Sequence, residues 1–358
     1  MDATTATQGS RISPDIVASF VLDCFGLSIT EFKQQLFGYS ESVVWQFGAA
    51  NQTWFIKFYA PFKSSLADVV DEAMLYQHLA KHGLNVPTVH RTLTDDLAQE
   101  LRVGDVAYPA MIMKSEALRA ARASTIRQPE LFAVAQTVAR LHLAVRDYPF
   151  LDRLAGHSDD HTIRAALTRS ARQLKRWGRR FTHRAGATDT QSAAPYAVHA
   201  DTRARLHTGV TALRAQFEAH TGYSYDVPTG LRKTLIHGDI ALHHTPFLPD
   251  QAVYLYDFAD RSWSRVIDEL VVLAAYLYTG DDISFSRWEQ LVDWMFQGYA
   301  SAAPLTAKDC AAFQPILIRR LLDELTYLWD LSGATARRLP WSEIARRHRL
   351  AQYLLQRA

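Results

Sequence analysis

His237-Gly238-Asp239-Ile240-Ala241-Leu242-His243-His244, with Tyr256-Asp257-Phe258 shortly after it, decides how this chain is read. A short strand-like run leads up to each aspartate, at residues 234–237 and 253–257, and the pattern predicts that the two runs pair. On its own, His237-Gly238-Asp239 is equally a turn, and Asp257 equally a strand-end cap. The order of strand, aspartate, loop, strand and second aspartate carries more, because it suits transfer of a phosphoryl group. The first aspartate accepts or orients the proton of an attacking hydroxyl. A side chain five residues later reaches a metal ion. The second aspartate holds the cation that bridges the nucleotide phosphates. Asp239, His244 and Asp257 occupy those three places. The chemistry rests on positioning and charge neutralisation, so one carboxylate must face the nucleophile and another must hold the cation.

Such a site also needs a fixed positive charge for the phosphates. Lys57 lies inside the apolar run Trp54-Phe55-Ile56-Lys57-Phe58-Tyr59. An amine buried there is costly without a partner. Glu72, on a helix expected over residues 66–82, supplies one and would orient Lys57 toward the phosphates. The plain alternative is a solvent-facing edge lysine and an ordinary surface glutamate, and Asp68 and Asp71 compete with Glu72 for the role. Phe37-Gly38-Tyr39-Ser40-Glu41-Ser42 leads into the next strand, where a phosphate-covering loop belongs. Its backbone N–H groups and the hydroxyls of Ser40 and Ser42 are suitable donors. With the single glycine Gly38, the stretch is equally an ordinary strand-entry turn.

Working outward, Ser13-Pro14-Asp15 predicts a helix start that Gly26 ends. Residues 42–47 and 53–59 are rich in aromatic and β-branched side chains around Gly48-Ala49-Ala50-Asn51, which predicts a hairpin. Further strands are expected near residues 88–93 and 108–113. From Gln128 onward the pattern turns helical, with helices over 131–145, 162–181, 202–219 and from 267 to the end. Residues 185–199 are small and polar and read as a loop. The domains expected are a helical extension at 1–28, a β-rich lobe with one helix at 29–115, and a helical lobe at 116–358.

Bulk properties fit this plan. A chain of 358 residues exceeds one compact core. Hydrophobic content of 48% and charged content of 21% are those of a globular protein. With a net charge of +2, nothing global argues for nucleic acid or an anionic membrane, and neither is expected as a partner. The only cysteines, Cys24 and Cys310, give neither a disulfide framework nor a metal-ligand spacing. The polar first residues lack the apolar core of a signal peptide, and the most apolar run, 270–278, is too short to span a bilayer. A cytoplasmic location is expected.

From about Phe37 to about Leu277 the chain resembles the aminoglycoside phosphotransferase and choline kinase superfamily. The lysine strand 54–59, the stretch Asp71–Pro87 with its glutamate and terminal G-x-x-V-P, Leu141-His142, His237-Gly238-Asp239, Asp257-Phe258-Ala259-Asp260 and Asp268-Glu269-Leu270 carry the likeness. The resemblance implies a bilobal, protein-kinase-like α+β fold whose cleft holds ATP and magnesium. It implies Asp239 as catalytic base or hydroxyl positioner, Asp257 as magnesium ligand, and Met113, Lys114 and Ser115 as the hinge that holds adenine. Asp268 would be a structural anchor. The acceptor implied is a hydroxyl of a small molecule, such as an antibiotic, amino alcohol or sugar.

Two positions depart from the family pattern. His244 stands where the family usually carries asparagine, and Ile240-Ala241-Leu242 replaces the common L-H-P. Macrolide phosphotransferases carry histidine at the first place, so His244 may be read as a metal or phosphate contact. Because magnesium prefers oxygen ligands, the alternative is a degraded site that binds nucleotide as a regulator, though Asp239, Asp257 and Lys57 together favour activity. Phosphorylation of protein hydroxyls is a third reading. The basic residues between Arg164 and Arg184 read either as a solvated face or as a surface for an anion. Asp323, Glu324 and Asp330, with Tyr327 and Trp329, suit either a cationic substrate or an ordinary helix.

Overall fold

A computed structural model describes residues 12–37, 42–61, 63–151, 230–335 and 341–357. Gly38, Ser40, the basic stretch 164–184 and the loop 185–199 lie outside these residues, as do the side chains of Tyr327, Trp329 and Asp330. The described chain forms two compact units of α+β character. The first comprises the described parts of Met1–Ala120, Ala144–Tyr148 and His244–Asp260, and the second those of Ala121–Leu143, Pro149–His243 and Arg261–Ala358.

The first unit opens with helix α1 (Pro14–Phe25). The Ser13 hydroxyl caps its first turn, Pro14 occupies the start, and Gly26 closes it at φ 68°, as the sequence predicts. A six-stranded sheet follows, built from β1 (Glu31–Phe37), β2 (Val43–Ala49), β3 (Gln52–Phe58), β4 (Val89–His90), β5 (Gln99–Val103) and β6 (Val106–Lys114). Its order is β1-β2-β3-β6-β4, with β5 paired to β6. The β2–β3 hairpin turns on Ala50 and Asn51, both at positive φ, the geometry that matches strand twist.

Side chains alternate across a strand, and here the alternation sorts core from chemistry. Trp45 and Phe47 of β2, Trp54, Ile56 and Phe58 of β3, and Ala110 and Ile112 of β6 share one apolar core with Val17, Phe20, Val21 and Phe25 of α1. Each such large side chain, fully buried, contributes about 1.5–3 kcal/mol. Lys57 is the odd residue between Ile56 and Phe58, so it leaves that core and faces the other side. Helix α2 (Leu66–Lys81) starts with a capping box between Ser65 and Asp68. Asp68 is therefore occupied as a helix cap and does not compete with Glu72.

The second unit holds α3 (Gln128–Ala144), a two-stranded ribbon of β7 (Lys233–Ile236) and β8 (Ser262–Arg265), and helices α4 (Val266–Thr279), α5 (Phe285–Ala302), α6 (Ala307–Thr335) and α7 (Trp341–Leu355). The partner of β7 corrects the sequence expectation. β7 pairs with β8, whereas Val253 makes only a single bridge to Phe247. The apolar run Val253-Tyr254-Leu255 looks more strand-like than Ser262-Trp263-Ser264-Arg265. Its N–H groups, however, go to loop carbonyls: Tyr254 donates to Pro246 and Leu255 to Asn85. At Gly298 of α5 an added Cβ would stand 2.8 Å from the Phe132 carbonyl of α3, so only glycine permits that approach.

Candidate active site

Two groups of the expected residues form, one inside each unit. In the first unit Lys57, Glu72, His244 and Asp257 come together. Lys57 Nζ lies 2.5 Å from Asp257 Oδ1 and 4.4 Å from the centre of the Tyr59 ring. Burial opposes the lysine's charge, but Asp257, Glu72 and Asp260 outweigh it and raise its pKa above the ordinary value. His244 Nε2 stands 3.8 Å from the other Asp257 oxygen. The His244 ring meets Tyr256 edge-on, and burial beside Asp257 pushes the Tyr256 phenol up to about 12.

The link between Glu72 and this pair runs through a residue the sequence reading did not single out. The Tyr76 hydroxyl donates to Glu72 Oε1 at 3.1 Å and accepts the Asp257 N–H at 2.9 Å. Glu72 and Tyr76 are one helical turn apart and both are buried. The Tyr76 ring also packs edge-on against Phe258. Burial, then Glu72 and Asp257, drive the Tyr76 phenol well above its usual range, so it remains a neutral donor. Asp257 itself sits at φ 68°, in the left-handed region that non-glycine residues rarely occupy. That conformation costs free energy and persists because neighbouring contacts impose it. The signal available in the sequence was a tyrosine four residues after the glutamate.

The segment carrying Asp257 is fastened to this unit along its length. Phe247 and Arg119 exchange both backbone hydrogen bonds at 2.9 Å, Leu255 donates to Asn85 at 2.8 Å, and Lys63 reaches Asp260 at 3.1 Å. Of the remaining expected nucleotide contacts, Ser42 is buried at the start of β2. Met113 lies within β6 opposite Phe55 and Val89. The N–H groups of Lys114 and Ser115 are already given to the carbonyls of Thr88 and Thr53. Contacts to a base from this strand end would thus use carbonyl or side-chain groups of these residues.

In the second unit Asp239 follows β7 after Gly238, which takes φ 85°. The loop is pinned by Glu269 of α4. One carboxylate oxygen accepts the His237 N–H and the other accepts the Gly238 N–H at 3.2 Å. Glu269 is completely buried. Burial alone would raise its pKa, but His142, 3.6 Å away, and His237 reverse the effect and hold it below the ordinary value. Asp268, the neighbouring anchor, accepts the Arg265 N–H and closes the first turn of α4.

Asp239 receives a 2.7 Å hydrogen bond on Oδ1 from Tyr276 of α4. Burial, then Asp239 and Glu324, keep that phenol protonated by raising its pKa well above the usual range. Behind it, Glu324 is held between Arg320 at 2.7 Å and Arg347 at 2.8 Å. These ion pairs lower the Glu324 pKa against the opposing effect of burial. Glu324 is thus engaged internally, and Asp323 lies 3.7 Å from Arg319. Tyr276 was also missed from sequence, where it is one tyrosine in an apolar helix.

A model of the phosphotransferase enzyme family matches residues 34–305. No curated protein sequence matches the chain significantly. Among solved structures, amicoumacin kinase hAmiN in complex with AMP-PNP, Ca2+ and Ami is similar at TM-score 0.66 and 12% identity, covering 98% of this chain and 95% of that one. Spectinomycin phosphotransferase APH(9)-Ia in complex with ADP and its antibiotic reaches TM-score 0.63 at 11% identity, covering 96% and 98%. The microcompartment-associated aminopropanol kinase reaches 0.58 at 12%, covering 96% and 95%. At such identities the likeness establishes the fold, which is the protein-kinase-like one. The family match takes in the lysine strand, both aspartates and the helix that pins the Asp239 loop, and on that extent the chain belongs to the phosphotransferase enzyme family.

Proposed function

We propose that the chain moves the terminal phosphoryl group of ATP to a hydroxyl of a small molecule. The observation that carries this reading is the part-buried Lys57–Asp257 ion pair, braced through Tyr76 by Glu72. The brace fixes the Asp257 backbone, so its carboxylate would keep its place when Lys57 turns to phosphate. In this reading the sheet-bearing unit with its 244–260 segment handles the nucleotide. Lys57 holds phosphate oxygens, Ser42 and the loop before it cover them, and Met113 and Ser115 lie by the base. Asp257 and His244 would hold a divalent cation. The carboxylate suits magnesium and the imidazole suits it less well. When bound, the cation supplies neutralisation of phosphate charge. Asp239, turned by Tyr276, orients the acceptor hydroxyl and takes its proton.

The acceptor class follows from the family and from neighbours of similar fold whose names give antibiotics and an amino alcohol. The purified protein with ATP and magnesium should phosphorylate at least one member of a panel of aminoglycosides, macrolides, amino alcohols and sugars, read by ADP release and mass spectrometry. Asp239→Ala should remove that turnover. Nucleotide binding without turnover across the whole panel would replace this reading with the regulator that His244 allows.

A further inference from the structure

Away from the residues discussed so far, the first unit carries a cluster of metal-ligating side chains. Among the described residues, His78, His82 and Asp147 each present a ligand atom, and these atoms all lie within 4.8 Å of one another. His78 and His82 are one turn apart on α2, the spacing that puts two imidazoles on the same face. Their ring centroids are 4.3 Å apart. Asp147 ends the 3-10 turn Val145–Asp147 that follows α3.

Each imidazole stands near ligand spacing from a different oxygen of Asp147, and the His82 contact is also a long hydrogen bond. Asp147 Oδ2 is 3.4 Å from His82 Nε2, and Oδ1 is 3.5 Å from His78 Nε2. Good N–H···O bonds fall at about 2.7–3.2 Å. Ligand atoms around zinc at bond lengths of about 2.0–2.1 Å stand roughly 3.3–3.4 Å apart in a tetrahedron. The second layer is also suitable. His82 Nδ1 lies 2.9 Å from the His78 carbonyl, and donating there leaves the Nε2 lone pair for the metal. His78 Nε2 donates to the Ala144 carbonyl at 2.7 Å, so coordination there must break this hydrogen bond and move the proton to Nδ1, with a small shift of the ring away from that carbonyl. His82 and Asp147 are 35% and 71% exposed, which admits an ion and leaves a place for water.

We propose that His78, His82 and Asp147 form a site for one divalent transition-metal ion, zinc by ligand type. Two imidazoles and a carboxylate disfavour magnesium and calcium, which want oxygen throughout. The ion would tie the last turns of α2 to the 3-10 turn. The same junction is already marked by Tyr148, whose hydroxyl donates to the Asp71 carbonyl at 3.2 Å and whose ring meets His78 edge-on. Because Asp71 adjoins Glu72, the ion would stiffen the helix that carries the brace for Asp257. The site does not depend on the phosphotransfer reading, and its test needs no turnover.

The test uses untagged, chelator-treated full-length protein without nucleotide or magnesium. Zinc is titrated by calorimetry, with melting temperature recorded in parallel. One ion per chain is expected, with a Kd of about 10 μM or tighter and a rise in melting temperature. His82→Gln and Asp147→Asn change exposed side chains and should melt like the wild type without metal. Each should weaken zinc binding at least about tenfold. The proposal is overturned if the wild type fails to bind zinc, or if either variant binds it as the wild type does. The second result would place the ion on others of the 14 histidines.

Discussion

Lys57 and Asp239 are the charged side chains to which the proposed reaction gives the phosphate and the hydroxyl, and the two units hold them in opposite ways. Lys57 is set against a full opposite charge, Asp257, with Glu72 and Tyr76 behind. Asp239 accepts a hydrogen bond from the neutral hydroxyl of Tyr276, and the charge of Arg320, itself paired with Glu324, acts on it from behind. A charged partner stabilises the charge and must be displaced or shared before it can act. A neutral partner fixes direction and leaves the charge for its work. The first arrangement fits a group that receives an anionic ligand, and the second fits one that meets a neutral hydroxyl.

The sharpest way to break this contrast is to delete both charges in turn. Asp239→Ala should lower turnover about 10²–10⁴-fold and leave nucleotide-induced stabilisation in a melting assay intact. Lys57→Ala should lose that stabilisation as well. Equal loss of nucleotide binding in both would end the division of labour proposed here.

Next in size is Glu269, which pins the Asp239 loop from inside the core. Glu269→Gln breaks a buried charged hydrogen-bond system and should cost about 3–5 kcal/mol in urea unfolding. The folded chain holds the Glu269 pKa below its ordinary 4.5, so the unfolded chain binds that proton more readily. Its stabilisation is therefore complete above about pH 4.5 and fades as pH falls through the folded value. The variant should lose that part of the acid dependence.

Tyr76→Phe removes only the hydroxyl between Glu72 and the Asp257 N–H. Stability should fall by about 1–3 kcal/mol, because two buried polar groups lose a partner. Nucleotide affinity in magnesium should fall with it. Unchanged affinity would show that Asp257 keeps its position without the brace. Tyr276→Phe is expected to be milder, lowering kcat about tenfold with little change in melting temperature, since Asp239 keeps its loop. A larger effect on stability than on kcat would make Tyr276 a packing residue.

The sequence disclosed the parts whose chemistry sits in short, ordered motifs. Asp239 and Lys57 could be placed because an aspartate just past a strand and a lysine inside an apolar strand are unusual on physical grounds, whereas the run before Asp257 proved not to be a strand. The capped and glycine-terminated α1 was legible for the same reason. Strand β1 escaped notice because Glu31-Phe32-Lys33-Gln34-Gln35 is polar and an irregularity between Phe32 and Gln34 breaks its alternation. Strand β5 joins β6 through Val103-Gly104-Asp105-Val106, a two-residue hairpin signal, but its polar Gln99-Glu100 start hides the strand itself. Tyr76, Tyr276 and Glu269 act through partners far along the chain, and no local pattern reveals such a pairing.

The Lys57–Asp257 pair also bears on how the chain is made. Its two members are 200 residues apart in sequence. At about 5–20 residues per second, the ribosome needs about 10–40 s after Lys57 to deliver Asp257. During that time the sheet has its apolar face and its helices but an amine with no aspartate to meet. A nascent chain shorter than residue 244 also lacks the segment that is fastened beside Arg119 and Asn85. The first unit is therefore complete only once residue 260 has been made, long after its strands. Chains released early should be cleared by proteases as incompletely folded species, however intact their N-terminal strands.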